Sequence, residues 1–305
     1  TGLCIAMLVE RGLLDLDRPV SAYWPEFGAH GKGAITVAQV LSHRAGLPFV
    51  PAELTTAEVL NDQVVAEHLA AMRPVWVPGA AFGYHALTVG AMASELTARI
   101  TGATIAEFFD SEVRCPRGLE AWFHTPEEIE PRVAPVVFPE AQADANPTPG
   151  LADAVYANLG GSPSRLDIIA NTRDGHTAGL AAASAVASAR GLAGAYGAAL
   201  WDDGYGRLFG DDTRRAMTQI RSDGLDITTG SVLRFGALFM LPWRERPFAS
   251  WQAFGHDGAA DALAFADPEV GLAFGYTTDR PWSGQDPRRP DALARLALRI
   301  ARDSA

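Results

Sequence analysis

The chain has 305 residues, enough to bury a large core in one or two domains. Its formal net charge of −11 argues against nucleic-acid binding, which needs a basic face, and no apolar run is long enough to span a bilayer. Cys4 and Cys115 are too few for a disulfide framework or a cysteine metal site, so a reducing, cytoplasmic setting without metal or cofactor is the expectation.

Thr1 to Gly12 reads as a helix that is apolar almost all round and therefore buried, stopped at Gly12. Leu14 to Val20 then leads to Tyr23-Trp24-Pro25-Glu26-Phe27. Thr36-Val37-Ala38-Gln39 is a capping box for a short helix through Leu41. His43, in Ser42–Pro48, reads as a structural histidine bonded to local backbone. Thr55-Thr56-Ala57-Glu58 caps a further helix, with Val59, Leu60, Val64, His68 and Met72 along one side. His68 sits there between apolar neighbours and reads as half-buried and satisfied. Arg73 to Gly79, with two prolines, breaks that helix.

Tyr84 follows in a Gly83-Tyr84-His85-Ala86 turn that opens the next helix. Val89, Met92, Ala93, Leu96 and Ile100 give that helix one apolar stripe, and Gly102 ends it in a left-handed conformation. Thr104-Ile105-Ala106-Glu107 is a third capping box, ahead of Phe108 and Phe109. A phenol at a glycine-flanked turn is either a core tyrosine with a backbone partner or a reactive group. Residues 125–165, rich in Pro, Glu, Ala and Gly, read as a long surface excursion forming a wall of the substrate cleft. His176 falls near a loop and is assigned no chemistry. Ser188 caps a helix ending near Leu200.

The pattern then turns to strands at 233–241, 253–254, 262–266 and 271–277, with Asp267-Pro268-Glu269-Val270 as a hairpin loop. Asp291 to Ala301 closes the chain as an amphipathic helix with Leu293, Leu296 and Ile300 on one side. Helices first and strands last predict an α/β protein of the α+β type. Its antiparallel sheet is flanked by helices beside a mainly helical part, the latter at about 1–230 and the sheet with its helix at about 231–305.

The stretch from Tyr84 through Thr101-Gly102 to Cys115-Pro116-Arg117-Gly118-Leu119 resembles the second active-site motif of the serine β-lactamase and penicillin-binding-protein superfamily. The match is closest to its class C-like branch, which includes the family VIII carboxylesterases. Leu14–Phe27 and Ser42–Pro48 resemble the segments that follow the nucleophile helix in that family. Phe254-Gly255-His256-Asp257-Gly258-Ala259 resembles its third motif, and the strand pair at 262–277 follows in matching order. The resemblance covers most of the chain and implies a β-lactamase/transpeptidase-like fold in a single catalytic domain, 1–305.

The resemblance also implies an acyl-enzyme mechanism. Tyr84 would relay protons to a serine nucleophile, and the Ala259 N–H would bind the developing oxyanion. His256 would supply charge or a hydrogen bond on the Tyr84 side, with His85, Asp257 and Gly258 in contact with substrate. The family's first motif, Ser-x-x-Lys, does not occur here: Lys32 is the sole lysine, and Ala29 stands three residues before it. By resemblance that motif would fall just before Thr1, with the first sheet strands also upstream, so the expectation is a chain lacking its start. Thr1 as an N-terminal nucleophile is disfavoured because Thr1 enters a helix and not a strand end.

Two departures bear on substrate. Ala86 stands where the family motif Tyr-x-Asn has its asparagine, and His256 where lactamases carry a lysine. The first removes an amide for a substrate side chain, and the second weakens a fixed charge for a β-lactam carboxylate. Both favour a carboxylesterase acting on short- to medium-chain esters. A class C-type β-lactamase or D,D-peptidase is the alternative within the fold, and a catalytically inactive binding protein the alternative outside it.

Overall fold

The computed structural model describes residues 1–51, 53–138, 166–281 and 289–303. α1 (Gly2–Glu10) lies at the centre, with every residue from Leu3 to Leu8 buried. So short a helix is marginal in water, and tertiary packing on all sides sustains it. Three capping boxes form as patterned, at Thr36, Thr55 and Thr104, each with both reciprocal bonds made. They start α2 (Val37–Leu41), α3 (Thr56–Val59) and α6 (Ile105–Phe109).

The helix expected to run on from Thr56 is two helices. The Asn61 side chain accepts from the Gln63 and Val64 N–H groups and caps a separate α4 (Asp62–Ala71). The new start rotates the buried face to Val65, Ala66, Leu69 and Ala70, in place of the stripe through Val64, His68 and Met72. His68 is half-buried, its Nδ1 2.9 Å from the Val64 carbonyl oxygen. At the end of α4, the fully buried Lys32 ammonium donates to the Ala70 (3.0 Å) and Met72 carbonyls and lies 5.6 Å from the Phe27 ring centre. A cation there meets the negative end of the helix, which offsets its loss of water. α5 (Thr88–Thr101) buries Val89, Met92, Ala93 and Leu96, and Gly102 closes it at φ +76°.

The sheet is built from the second half of the chain. A two-residue ladder of β1 (Ala121–Trp122) with β2 (Val186–Ala187) stands apart from it. The hairpin β3 (Ser222–Leu225)–β4 (Val232–Phe235) precedes the antiparallel trio β5 (Phe254–Asp257), β6 (Leu263–Asp267) and β7 (Leu272–Tyr276). The strand expected over 233–241 is interrupted after Phe235, where Leu238 takes φ +63°. Met240 then returns as a single bridge to both Phe235 and Gly255, joining hairpin to trio.

Alternation along β6 divides the core. Leu263 and Phe265 pack with Phe248 and with Ala294 of the terminal helix Arg289–Asp303, while Ala266 faces the main core around α1. The opposite face carries the helix Ala189–Gly197, so close that a Cβ on Gly275 would lie 2.2 Å from the Ala189 carbonyl oxygen. Only glycine allows that approach. The result is an antiparallel sheet with helices on both faces.

The terminal helix corrects one expectation. Ala294 and Leu298 point inward, and Leu293, Leu296 and Ile300 are exposed. The bulky Phe248, Leu263 and Phe265 fill the sheet side, so a small Ala294 is what fits against them. The excursion expected over 125–165 is described only to 138; the remainder lies outside the described residues. In the described part Glu130 binds Arg173 and the buried His176, whose second nitrogen meets the Ala170 carbonyl at 2.7 Å. No described helix is long and apolar enough to cross a membrane.

Asp62, the first residue of α4, accepts a hydrogen bond from the Ala181 N–H at 2.8 Å. Burial dominates its ionisation and raises its pKa to about 6, against the opposing bonds from Ala181 and the Ser94 side chain. An unfolded aspartate titrates near ~3.9, so the native state favours the protonated acid. Stability from this group is therefore present in acid and is lost as pH rises through about 6. Asp62→Asn keeps an acceptor and removes the charge. It is expected to be more stable than wild type by about 1–3 kcal/mol at about pH 7.5 and to match it near about pH 4. Urea denaturation at the two pH values measures this, and equal stability at the higher pH rejects it.

Candidate active site

Tyr84 lies in an irregular extended segment just ahead of α5, with its ring half-buried. No ladder or helix satisfies the backbone here, so other segments must. The β3–β4 hairpin supplies one side. Asp226, fully buried, accepts through Oδ1 from the Thr228 and Thr229 N–H groups (2.9 and 2.8 Å) and from both hydroxyls. That fixes the hairpin tip, which lays the Ile227 N–H on the Phe82 carbonyl (3.2 Å) and the Thr228 hydroxyl on the Tyr84 carbonyl (3.3 Å). Gly83 is required for this docking. A Cβ there would lie 2.6 Å from Thr228 Cγ2, 2.9 Å from Trp76 Cη2 and 3.1 Å from Ile227 Cγ1.

The other side comes from the segment after α2. The Gly83 N–H donates to the His43 carbonyl and the His85 N–H to His43 Nδ1, each at 3.1 Å. Tyr84 itself packs in a small apolar cluster with Phe82, Phe235, Met240 and Trp243. Its ring is nearly parallel to that of Phe235 at 5.9 Å, and lies 5.0 Å from His43 and 6.0 Å from His256. At the tip of the hairpin the exposed Ile227 lies against Gly83, next to Tyr84 in the chain.

The structure brings together Tyr84 and His256 from distant parts of the sequence, one at the start of α5 and one on β5. His256 is partly exposed, with Nδ1 2.5 Å from the Asp257 carbonyl oxygen. Gly258 and Ala259 are exposed where the chain leaves β5. The Gly258 N–H bonds the Ala262 carbonyl at 2.9 Å, while the Ala259 N–H has no hydrogen-bond partner among the described residues.

Two of the expected substrate contacts, His85 and Asp257, have their side chains engaged within the protein. His85 is fully buried: Nδ1–H donates to the Gly83 carbonyl at 2.6 Å and Nε2 accepts from the Leu47 N–H at 2.9 Å. Both nitrogens are committed, and burial pushes its pKa down to about 4, so this neutral ring braces backbone. Asp257 follows His256 on β5, and its carboxylate lies 3.7 Å from His256 Nδ1. It pairs with Arg246, which also binds Asp291 at 3.1 Å. The guanidinium nearest the third motif is thus held by two carboxylates. Phe235 and Thr228 carried no recognisable signal in the sequence, and His43, read as bonded to local backbone, instead accepts through Nδ1 from the distant His85 N–H. Their positions depend on a left-handed backbone at His43 and on a hairpin whose first strand, Ser-Asp-Gly-Leu, has no strand pattern.

A family model described as Beta-lactamase matches residues 1–299. Among curated proteins, Esterase/beta-lactamase LipL of Mycobacterium tuberculosis (strain ATCC 25618 / H37Rv) is 31% identical over 295 residues, spanning 92% of this chain and 67% of LipL. Among solved structures, EstA from Arthrobacter nitroguajacolicus Rue61a superposes with a TM-score of 0.93 at 39% identity, over 100% of this chain and 82% of EstA. A family VIII carboxylesterase gives 0.86 at 28% identity, over 98% of this chain and 80% of its own. A penicillin-binding-protein homolog from Caulobacter crescentus gives 0.86 at 29%, with the same coverage of 98% and 80%. The helix-flanked antiparallel sheet is therefore the β-lactamase/transpeptidase-like fold, and this chain belongs to the beta-lactamase family of serine hydrolases.

Proposed function

We propose that the site hydrolyses carboxylic esters of short to medium chain through an acyl-enzyme, residues 1–305 serving as one catalytic domain. The observation that carries this reading is the apolar surround of Tyr84: Phe82, Phe235, Met240 and Trp243 pack around it, and Ile227 lies against the adjoining Gly83. Such a surround suits the alkyl parts of an ester. The names of EstA, the family VIII carboxylesterase and LipL support the same class. Arg246 supports it too. A β-lactam carboxylate would seek a cation beside the third motif, and this one is already shared between Asp257 and Asp291.

In the proposed reaction the serine hydroxyl adds to the ester carbonyl carbon while Tyr84 accepts its proton. The oxyanion rests on the Ala259 N–H, and His256 faces the Tyr84 side. The tetrahedral adduct expels the alcohol, which takes the proton back from Tyr84. Water then attacks the acyl-serine by the same route and releases the acid. The nucleophile, the serine of Ser-x-x-Lys in this family, is not among these residues, because Lys32 is preceded at that spacing by Ala29. Both cysteines are free thiols, and we place the enzyme in a reducing, cytoplasmic setting.

Two measurements test this in an enzyme where the family's Ser-x-x-Lys segment accompanies these residues. Tyr84→Phe is expected to lower kcat on p-nitrophenyl butyrate by roughly 10²–10⁴ with an unchanged melting transition. Near-normal turnover would return Tyr84 to a packing role. The wild-type enzyme is expected to show a kcat/KM for the butyrate at least about tenfold above that for a cephalosporin, the factor one charge-assisted contact carries. A preference for the cephalosporin supports a lactamase, and activity on neither supports a binding protein.

A further inference from the structure

A proton relay works only while its ring is held in register with the reacting atoms, and Tyr84 stands on irregular backbone that neither α5 nor a strand fixes. We propose that His43 is a positioning residue for Tyr84, clamping the chain on both sides of it through its carbonyl oxygen and its Nδ1. This rests on Tyr84 as the relay. The carbonyl accepts the N–H of the preceding residue, Gly83, and Nδ1 accepts the N–H of the following one, His85, both at 3.1 Å. The same ring stands 5.0 Å from the Tyr84 ring and edge-on to Phe235 at 4.5 Å, and Phe235 in turn stacks on Tyr84.

Three features make His43 suited to this. First, it is 1% exposed and holds φ +63°, a left-handed conformation unfavourable for most side chains. That twist lets one residue offer backbone and ring to neighbours two apart. Second, an accepting Nδ1 fixes the neutral tautomer with the proton on Nε2. Third, neutrality is enforced. Burial chiefly, with His85 and His256 nearby, holds the ring's pKa well below its ordinary value. The titratable groups facing the ring are Tyr84, His85 and His256. The clamp therefore stays closed at neutral pH and opens only when acid protonates Nδ1.

Two arms test the clamp. On this chain, heteronuclear NMR of the imidazole is expected to show Nδ1 without a proton from about pH 5.5 to about pH 9, with no titration in that range. A proton on Nδ1, or titration near ~6.5, overturns the proposal. In the active enzyme, His43→Ala is expected to lower ester kcat by roughly 10²-fold with KM within about twofold. His43→Asn should recover most of that loss, since asparagine tolerates a positive φ and offers an amide oxygen to the His85 N–H. Equal kcat for H43A and H43N, or for H43A and wild type, overturns it. If H43A does not fold, the tautomer and the kcat of H43N against wild type still decide. A Tyr84→Phe variant as active as wild type would sink the relay itself, leaving His43 as a brace of the fold with no catalytic consequence.

Discussion

Buried backbone outside helix and sheet must still satisfy its hydrogen bonds, and residues 82–85 are where this protein meets that constraint. The Phe82 carbonyl is taken by Ile227, the Gly83 N–H by His43, the Gly83 carbonyl by His85 and the Tyr84 carbonyl by Thr228. The partners come from three segments far apart in sequence: the turn after α2, the β3–β4 hairpin and the segment itself. Each must be rigid to serve, which explains the buried Asp226 organising the hairpin tip and the left-handed His43 ending α2. The position of one phenol thus depends on packing contributed from both halves of the chain.

What was legible in the sequence were features whose chemistry is local. Thr36, Thr55 and Thr104 each reach three residues ahead, so their capping boxes are written in four letters and all three form. The left-handed end at Gly102 and the strand pair β6–β7 are local in the same sense. The fold places the rings of Tyr84 and His256, distant in sequence, 6.0 Å apart. What was not legible depended on distant partners. The inward face of the terminal helix is chosen by Phe248 and Phe265, and the clash that demands Gly83 comes from Trp76 and the hairpin. The surroundings of His85 depend on such partners too, the Leu47 N–H and the Gly83 carbonyl engaging its two ring nitrogens.

Neighbouring residues on β5 have different partners. His256 points towards Tyr84, and Asp257 points towards Arg246 and Asp291, tying strand to terminal helix. Because Arg246 is only slightly exposed, this triad is screened less than a surface pair, and removing Asp257 would leave a guanidinium facing Asp291 alone. Such a change would disturb the strand that presents His256 and Gly258, and would remove the carboxylate 3.7 Å from His256 Nδ1.

Lys32 has a practical corollary. It is the one lysine among 305 residues, and its amine is wholly enclosed, giving its hydrogens to the end of α4. The outer surface of the described residues accordingly presents no lysine amine, and side-chain positive charge there is arginine's, with whatever histidine adds in acid. Reagents that acylate amines, and aldehyde fixatives that crosslink through them, would find no lysine to react with while α4 stays folded. Guanidinium groups also keep their protons far into alkali, so the basic half of the surface charge holds constant where a lysine-bearing protein would be losing it. Reaction of Lys32 with such a reagent would mark the opening of the α4 terminus, making this single amine an internal reporter of local unfolding.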